Sequence, residues 1–192
     1  MNPEIKIIKE DVLGEFRSKF SKVSYAYSMN GSAPENIERG VFHRGNGAAI
    51  LLYNKVKGTL ILTRQFRLPT YLNGNPDGML LEVCAGTLDV ESPEECIRRE
   101  AEEETGFRVG AIKKVFECFM SPGSVTEMLY LYIAEYDDSM RIDAGGGLAE
   151  EHEHIQVVEM PFAQALESMQ KGEVKDAKTL ILFQYAALNH LL

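Results

Sequence analysis

GTLDVESPEECIRREAEEETGF, residues 86–107, contains the signals for both ends of a helix. Ser92 predicts its start, because serine caps the first turn while Glu95, three residues later, returns a hydrogen bond in a capping box. Gly106 predicts its end, since glycine readily adopts the left-handed conformation that stops a helix. We therefore expect a helix over residues 93–105.

Four glutamates are crowded into the last part of this helix. Like charges four residues apart destabilise a helix by about 0.2–0.5 kcal/mol per pair. Successive residues of a helix are about 100° apart, so Glu103 and Glu104 lie on the same side as Glu100, whereas Glu102 points away. On the same wheel, Glu104 borders the apolar stripe that begins at Ile97. Two interpretations are open: a solvated acidic face, or a site for a hard divalent cation such as Mg²⁺, which takes carboxylate oxygens as ligands.

Outside this helix, apolar runs broken by glycine and proline indicate strands. We expect strands at 22–29, 48–53, 59–66, 79–86, 112–119 and 128–136 and in IQVVE after residue 154, a loop at 69–78, and two C-terminal helices. Strands with few, scattered helices imply an α/β (α+β) fold, a mixed sheet covered by helices. Residues 1–40 are predicted to form an N-terminal arm and residues 41–192 the main domain.

The spacing within residues 86–107 resembles the Nudix box, a pattern of Gly, five residues, Glu, seven residues, then Arg-Glu-x-x-Glu-Glu-x-Gly. Glu91 stands eight residues before Arg99, as the pattern requires, and the Arg-Glu-x-x-Glu-Glu-x-Gly portion is complete. Gly86 departs from it, because it stands 13 residues before Arg99 where the pattern has 14. The chain therefore resembles the Nudix family in the catalytic half of its motif.

The resemblance implies an α/β/α sandwich with a mixed sheet, to which this chain adds an N-terminal antiparallel β arm. It also implies hydrolysis of nucleoside diphosphates linked to another group, with Mg²⁺ as the cofactor and Mn²⁺ as an alternative. The catalytic residues it implies are Glu153, Glu103, Glu104 and Arg99, with Arg99 pairing with Glu103. The metal ligands it implies are Glu100, Glu104, Glu153 and the backbone carbonyl of Ala85.

Three further stretches are similar to the nucleotide-sugar branch of the family: RGNGAAILLYN (44–54), SPGSVTE (121–127) and GGGLAEEHEHI (145–155). Within this branch, the ordered set of motifs RGNGA, RQFR, CAG, MSPG, TE, AGGG and PF-QALE, together with the N-terminal arm, most closely resembles the enzymes that act on GDP-mannose. That resemblance implies that GDP-mannose and water give GMP and mannose 1-phosphate, in a homodimer whose arms complete each other's sites. Hydrolysis of ADP-ribose to AMP and ribose 5-phosphate is the alternative, favoured by Pro122, 15 residues after Phe107. A non-catalytic sugar-nucleotide sensor is a more distant one, because such a protein should have lost its metal ligands.

The same resemblance implies a set of substrate-binding residues. They are Arg17, Glu38, Arg39, Gly40, Arg67, Ala85, Gly86, Glu127, His152 and Lys178. Arg17, with Phe16 beside it, stands where the family has an aromatic residue that stacks on the base. An arginine guanidinium can also stack on a base, so guanine and adenine both stay open.

The glycine-rich segment 145–155 has three interpretations. It resembles a family loop in which a glutamate, here Glu153 with Glu151 as competitor, reaches the metals when substrate binds, and its glycines suit a closing lid. It is also typical of a mobile acidic surface loop. His152 and His154 could indicate zinc, but no further ligand follows at a typical spacing.

Composition excludes several partners. The 192 residues carry a net charge of −9 with no basic stripe, so we expect no nucleic-acid partner. No apolar run reaches the roughly 18 residues of a membrane span, and the N-terminus lacks a signal-peptide pattern. Three cysteines without paired spacing suit a reducing compartment, so a cytoplasmic location is expected.

Overall fold

The computed structural model describes residues 2–148, 150 and 153–192. Contacts divide the chain into two compact units. The first comprises Met1–Asn46 and Phe119–Met128, and the second comprises Gly47–Cys118 and Leu129–Leu192. The predicted arm boundary at residue 40 falls inside a strand of the first unit, which continues to His43.

The first unit contains a three-stranded antiparallel sheet in the order β1-β2-β3. Its strands are β1 (Pro3–Glu15), β2 (Lys19–Met29) and β3 (Glu35–His43). β2 contains the predicted strand 22–29, and the turn after it places Asn30 and Gly31 at positive φ. β1 exposes several large apolar side chains, among them Ile5, Ile7, Ile8, Val12 and Leu13.

The second unit is built on a mixed sheet of seven strands. They are β4 (Gly47–Asn54), β5 (Thr59–Phe66), β6 (Met79–Glu82), β7 (Cys84–Thr87), β8 (Ile112–Phe119), β9 (Met128–Glu135) and β10 (Gln156–Pro161). The order is β10-β5-β4-β9-β8, with β6 beside β5 and β7 beside β4. β4 is parallel to β9 and antiparallel to β5. Every residue of β4 is buried, which explains the unbroken apolar run in its sequence.

Four helices accompany the sheets: α1 (Leu68–Leu72), α2 (Pro93–Thr105), α3 (Phe162–Gln170) and α4 (Ala177–Leu188). Ile97 and Ala101 of α2 join the alternate residues Ala48, Ile50 and Leu52 of β4 in one buried cluster. Residues between these point to the other face of the sheet, and α4 also contacts β4. The fold is therefore the α/β/α arrangement that the sequence predicts. No described helix is long and apolar enough to cross a membrane.

Two local predictions were wrong. The predicted loop 69–78 begins with the short helix α1, in which Pro69 occupies the first turn. The predicted strand 79–86 is two strands, because β6 pairs with β5 and β7 with β4. Val83 lies between them, and its N–H donates to the Thr179 hydroxyl at 2.8 Å.

Candidate active site

The ends of α2 are set by the residues that predict them. Ser92 accepts a hydrogen bond from the Glu95 N–H, and the Glu95 carboxylate accepts one from the Ser92 N–H at 3.0 Å, which completes the capping box. Gly106 ends the helix at a φ of 76° and donates its N–H to the Glu102 carbonyl. Both predictions are confirmed, so the rotational position of each glutamate on the helix is known.

The four glutamates of α2 face in the two directions that the sequence predicts. Glu104 is only 2% exposed, and Glu100 and Glu103 are half-buried. Glu102 turns away and forms an ion pair with Arg108 at 2.6 Å. Three carboxylates therefore share one sector of the helix, and we name Glu100, Glu103 and Glu104 the carboxylate cluster.

Two small residues of β7, Ala85 and Gly86, lie against the carboxylate cluster. The Ala85 N–H donates to Glu104 Oε2 at 3.2 Å. Gly86 lies so close to Glu100 that a Cβ atom at position 86 would overlap the Glu100 carboxylate. A side chain at this place would displace the Glu100 carboxylate, so Gly86 allows Glu100 its present position, one residue away from where the family pattern has its glycine.

Burial and charge crowding act together on the cluster. Burial is the main cause that raises the pKa of the Glu104 carboxyl, to about 7, and the neighbouring carboxylates of Glu100 and Glu153 also raise it. Burial likewise raises the pKa of Glu100, against the opposing effect of the Arg99 guanidinium. The site therefore holds negative charge that would be stabilised by a cation.

Arg99 orients one side of the cluster. Its guanidinium contacts Glu91 at 2.6 Å, Glu103 at 2.8 Å and Glu100 at 3.0 Å. The predicted pairing of Arg99 with Glu103, four residues apart on the helix, is confirmed. Because one guanidinium holds three carboxylates, Arg99 limits the directions in which Glu100 and Glu103 can point.

The glycine-rich segment is attached to the end of α2 by its backbone. The N–H groups of Gly146 and Gly147 donate to the carbonyls of Glu104 and Glu103 at 2.9 and 3.1 Å. These carbonyls belong to the last turn of the helix, where no partner is available within the helix itself. Gly147 has a φ of 76° and leaves no room for a side chain next to Glu153.

Glu153 is the described residue of the segment whose charge acts on the carboxylate cluster. Its carboxylate accepts the Leu148 N–H at 3.2 Å, and it contributes to the raised pKa values of Glu100 and Glu104. Its competitor Glu151 and the predicted substrate residue His152 lie outside the described residues.

The oxygen atoms of the predicted metal ligands are chemically suited to a hard divalent cation. Glu104 is buried, and in the described part of the chain no lysine or arginine forms an ion pair with it. Carboxylate and carbonyl oxygens are the ligands that Mg²⁺ prefers. Among the described residues, no three His, Cys, Asp or Glu side chains are already arranged as a metal site. The predicted ligands are therefore close in space without converging on one point.

A second charged group, which we name the cation pair, consists of Arg67 and Lys178 joined by Glu82. Glu82 is 3% exposed; its Oε1 accepts from Lys178 Nζ at 2.6 Å and its Oε2 from Arg67 Nε at 2.7 Å. Asp176 contacts Lys178 at 3.0 Å. The structure thus brings together two predicted substrate residues through Glu82, and neither Glu82 nor Asp176 was predicted from the sequence. A glutamate inside the apolar run MLLEVCAG was the available signal for Glu82.

The remaining predicted substrate residues belong to the first unit. Arg17 is exposed in the β1–β2 connection. Glu38 contacts Lys22 at 3.0 Å, and the Arg39 guanidinium donates to the Glu38 carbonyl at 2.9 Å.

Gly40 and Glu127 complete this group. Gly40 lies against the Phe20 ring, which a Cβ atom would meet at 3.2 Å. Glu127 pairs with Arg44 at 3.2 Å within the same unit.

The family is decided by comparison with known proteins. The model of the NUDIX domain matches residues 43–183, which include α2 and the whole carboxylate cluster. The chain belongs to the Nudix family. As a Nudix hydrolase it is an enzyme, and hydrolases of this family generally use divalent metal ions such as Mg²⁺.

Curated relatives of this Nudix hydrolase match over its full length. It is 50% identical to a GDP-mannose pyrophosphatase from Enterobacter sp. (strain 638) and 48% identical to one from Cronobacter sakazakii. It is 47% identical to a third from Salmonella arizonae. Each alignment covers all 192 residues and the whole of the relative.

Proposed function

We propose that this Nudix hydrolase cleaves the diphosphate bond of a nucleotide sugar, converting GDP-mannose and water to GMP and mannose 1-phosphate. The observation that carries the proposal is the full-length similarity to proteins named GDP-mannose pyrophosphatase. The site supports it, because a diphosphate needs both a place for a divalent cation and positively charged side chains. The carboxylate cluster and the cation pair supply these within one unit.

A Mg²⁺ ion, or Mn²⁺ in its place, would be held by Glu100, Glu104, Glu153 and the Ala85 carbonyl. It would neutralise charge that develops on the diphosphate. Glu153 is the residue we assign to accept the proton of the attacking water, because a positioned carboxylate can act as a general base and Glu153 belongs to the segment attached to the end of α2. Arg99 restrains the carboxylates of Glu103 and Glu100 through its ion pairs with both.

Substrate contacts are assigned to both units. In the second unit, Arg67 and Lys178 bind the phosphates, Ala85 and Gly86 approach the substrate through their backbone, and His152 adds a further contact. In the first unit, Glu127 binds the ligand, and the remaining contacts are from Arg17, Glu38, Arg39 and Gly40.

The protein is proposed to be a homodimer in which the arm of one copy contacts the substrate bound by its partner. The apolar side chains on β1 support an interface, since Ile5, Ile7 and Leu13 are each 60% exposed on one strand. A cytoplasmic location is proposed as well, in keeping with three cysteines that lack the paired spacing of disulfide frameworks.

Substrate profiling tests the proposed activity. The protein is incubated with GDP-mannose or ADP-ribose at equal concentration with Mg²⁺, and the products are separated by chromatography. We expect kcat/KM to be higher for GDP-mannose. A higher value for ADP-ribose would assign the second function, which Pro122 favours. Binding of either ligand without hydrolysis would indicate a sensor.

The dimer is tested by replacing Ile5 and Ile7 with serine in the full chain. Light scattering should then show a monomer, and activity should fall with it. Val56→Ser is the matched control, because Val56 is an exposed apolar residue in the β4–β5 turn. A fully active monomer would overturn the arm contact, as would a fully active fragment 41–192.

A further inference from the structure

Glu82 has a position that no catalytic or metal-binding assignment explains. It lies at the end of β6, almost completely buried, and both of its carboxylate oxygens contact a cation. Its register partner on β5 is Thr63, whose hydroxyl donates to the Glu82 carbonyl at 3.3 Å. Backbone and side chain of Glu82 are thus both held in place by their neighbours.

The two cations have different amounts of freedom. Lys178 is buried and also contacts Asp176, so its ammonium is held by two carboxylates. Arg67 is more exposed, and among the described residues only its Nε atom is engaged by a side chain. Its two terminal nitrogens are therefore left to bind an oxyanion, for which the planar guanidinium is well suited.

The helix that carries Lys178 is fixed to the same strand junction. Asp176 caps α4 by accepting the Thr179 N–H at 3.0 Å, and the Thr179 hydroxyl donates to Asp176 at 2.6 Å. That hydroxyl accepts the Val83 N–H. The residue next to Glu82 thus holds the beginning of α4, and Glu82 itself holds the second residue of that helix.

The segment EVCAG (82–86) serves both charged groups. Glu82 binds the cation pair at one end, while Ala85 and Gly86 receive Glu104 and Glu100 at the other. Five consecutive residues therefore have the positively charged cation pair at one end and the negatively charged carboxylate cluster at the other. A diphosphate fits this arrangement in charge, because its oxygens would be attracted by the cations and by a metal ion that the carboxylates would hold.

We propose that Glu82 is a positioning residue that holds Arg67 and Lys178 as a preorganised binding site for the diphosphate of the substrate. The inference rests on the proposed function and deepens it. Glu82 does not touch the substrate; it acts through the two cations. Without its negative charge, Arg67 loses its only side-chain anchor among the described residues, and its guanidinium can no longer be aimed at the phosphate.

The test uses Glu82→Gln, which keeps the shape of the side chain and removes its charge. Glu159→Gln is the matched control, since Glu159 is also a hydrogen-bonded carboxylate on a strand paired with β5 but contacts Lys57, Thr59 and Tyr136 instead. Steady-state kinetics are measured well below the melting temperature of each variant. For Glu82→Gln we expect KM to rise about 10- to 100-fold, the range seen when partners that orient ligand-binding residues are removed, and kcat to change less.

A double-mutant cycle separates positioning from a structural role. In an Arg67→Ala background, Glu82→Gln should add much less to KM than it does alone. Unchanged KM in folded Glu82→Gln, or additive effects in the cycle, would overturn the proposal. If Glu82→Gln does not fold, Glu82→Asp replaces it: its carboxylate keeps the charge but is set back by one methylene and cannot reach both cations, so a smaller rise in KM is expected, and an unchanged KM would overturn the proposal.

Binding of methylenediphosphonate, a diphosphate analogue that is not hydrolysed at its bridge, distinguishes this inference from the proposed function. Calorimetry should show weaker binding to Glu82→Gln than to the parent protein and to Glu159→Gln. If neither nucleotide sugar is hydrolysed but this difference is found, the proposed function fails and the inference holds. Equal binding to all three proteins, or none to the parent, would overturn the inference.

Discussion

Glu82 and Glu104 are two carboxylates with nearly the same burial and opposite surroundings. They are 3% and 2% exposed, respectively. Glu82 contacts two cations at 2.6 and 2.7 Å, whereas Glu104 has carboxylates near it and accepts hydrogen bonds only from the Ala85 N–H at 3.2 Å and the Cys84 thiol among the described residues. A buried charge is costly unless it is paired. The negative charge of Glu82 is therefore neutralised by cations of the protein itself. That of Glu104 is suited to neutralisation by a bound metal cation.

The largest effect is expected from Glu104→Gln. It should lower kcat by several orders of magnitude, because it removes a proposed metal ligand. The melting temperature should stay the same or rise, since an uncompensated buried charge is lost. Glu102→Gln is the control, because Glu102 points away and pairs with Arg108. Similar losses of kcat in both variants would contradict the orientation of the cluster.

A somewhat smaller effect is expected from Glu153→Gln. If Glu153 accepts the proton of the attacking water, kcat should fall by about 10²–10⁴-fold, with little change in KM, as expected for an interaction made in the transition state. Steady-state hydrolysis of GDP-mannose at saturating Mg²⁺ measures both constants. Glu151→Gln should have far less effect; a reversed result would assign the role to Glu151.

Gly86→Ala tests the fit between β7 and the cluster. The new Cβ would overlap the Glu100 carboxylate, which must then move. Because the end of a glutamate side chain is flexible, the free energy of unfolding should change by at most about 1 kcal/mol. Displacement of a site residue by about 1 Å can lower kcat on the order of 10²-fold. Gly110→Ala is the control, since a Cβ there meets nothing within 4 Å.

The local signals predicted α2 and the direction of its glutamates because they depend on residues close together in sequence. Ser92, Glu95 and Gly106 determine where the helix starts and stops, and the helical period then orients Glu102 and Glu104. The position of Glu104 at the edge of the buried core was predicted in the same way, because the helical period places Glu104 beside the apolar stripe.

The cation pair could not be predicted as a connected group from the residues alone. Glu82 and Lys178 are 96 residues apart, and no local pattern reports a contact at that separation. The break of the strand at Val83 has the same origin, because its N–H is taken by Thr179 on a distant helix. Resemblance to a family predicts Arg67 and Lys178 as ligand contacts, but it did not reveal Glu82, which joins them.

The smallest effect expected is the shift in melting temperature that Mg²⁺ causes. Measuring this shift in variants of Glu82 and Glu104 compares the two carboxylates directly. A ligand at 100 times its Kd stabilises the folded state by about 2.7 kcal/mol. For a chain of this size that corresponds to a rise of about 5–10 °C. Scanning calorimetry with Mg²⁺, and with a chelator instead, measures the shift without requiring activity.

Glu104→Gln should remove most of the Mg²⁺ shift, because it takes away a proposed ligand of the cation. Glu82→Gln should begin from a lower melting temperature, since two cations lose their shared partner, yet it should keep the full shift. A full Mg²⁺ shift in Glu104→Gln would show that Glu104 is not a ligand of Mg²⁺ and would contradict the proposed metal site at the carboxylate cluster. Loss of the shift in Glu82→Gln would show that the two charged groups are one site, because among the described residues the Glu82 carboxylate is contacted only by Arg67 and Lys178.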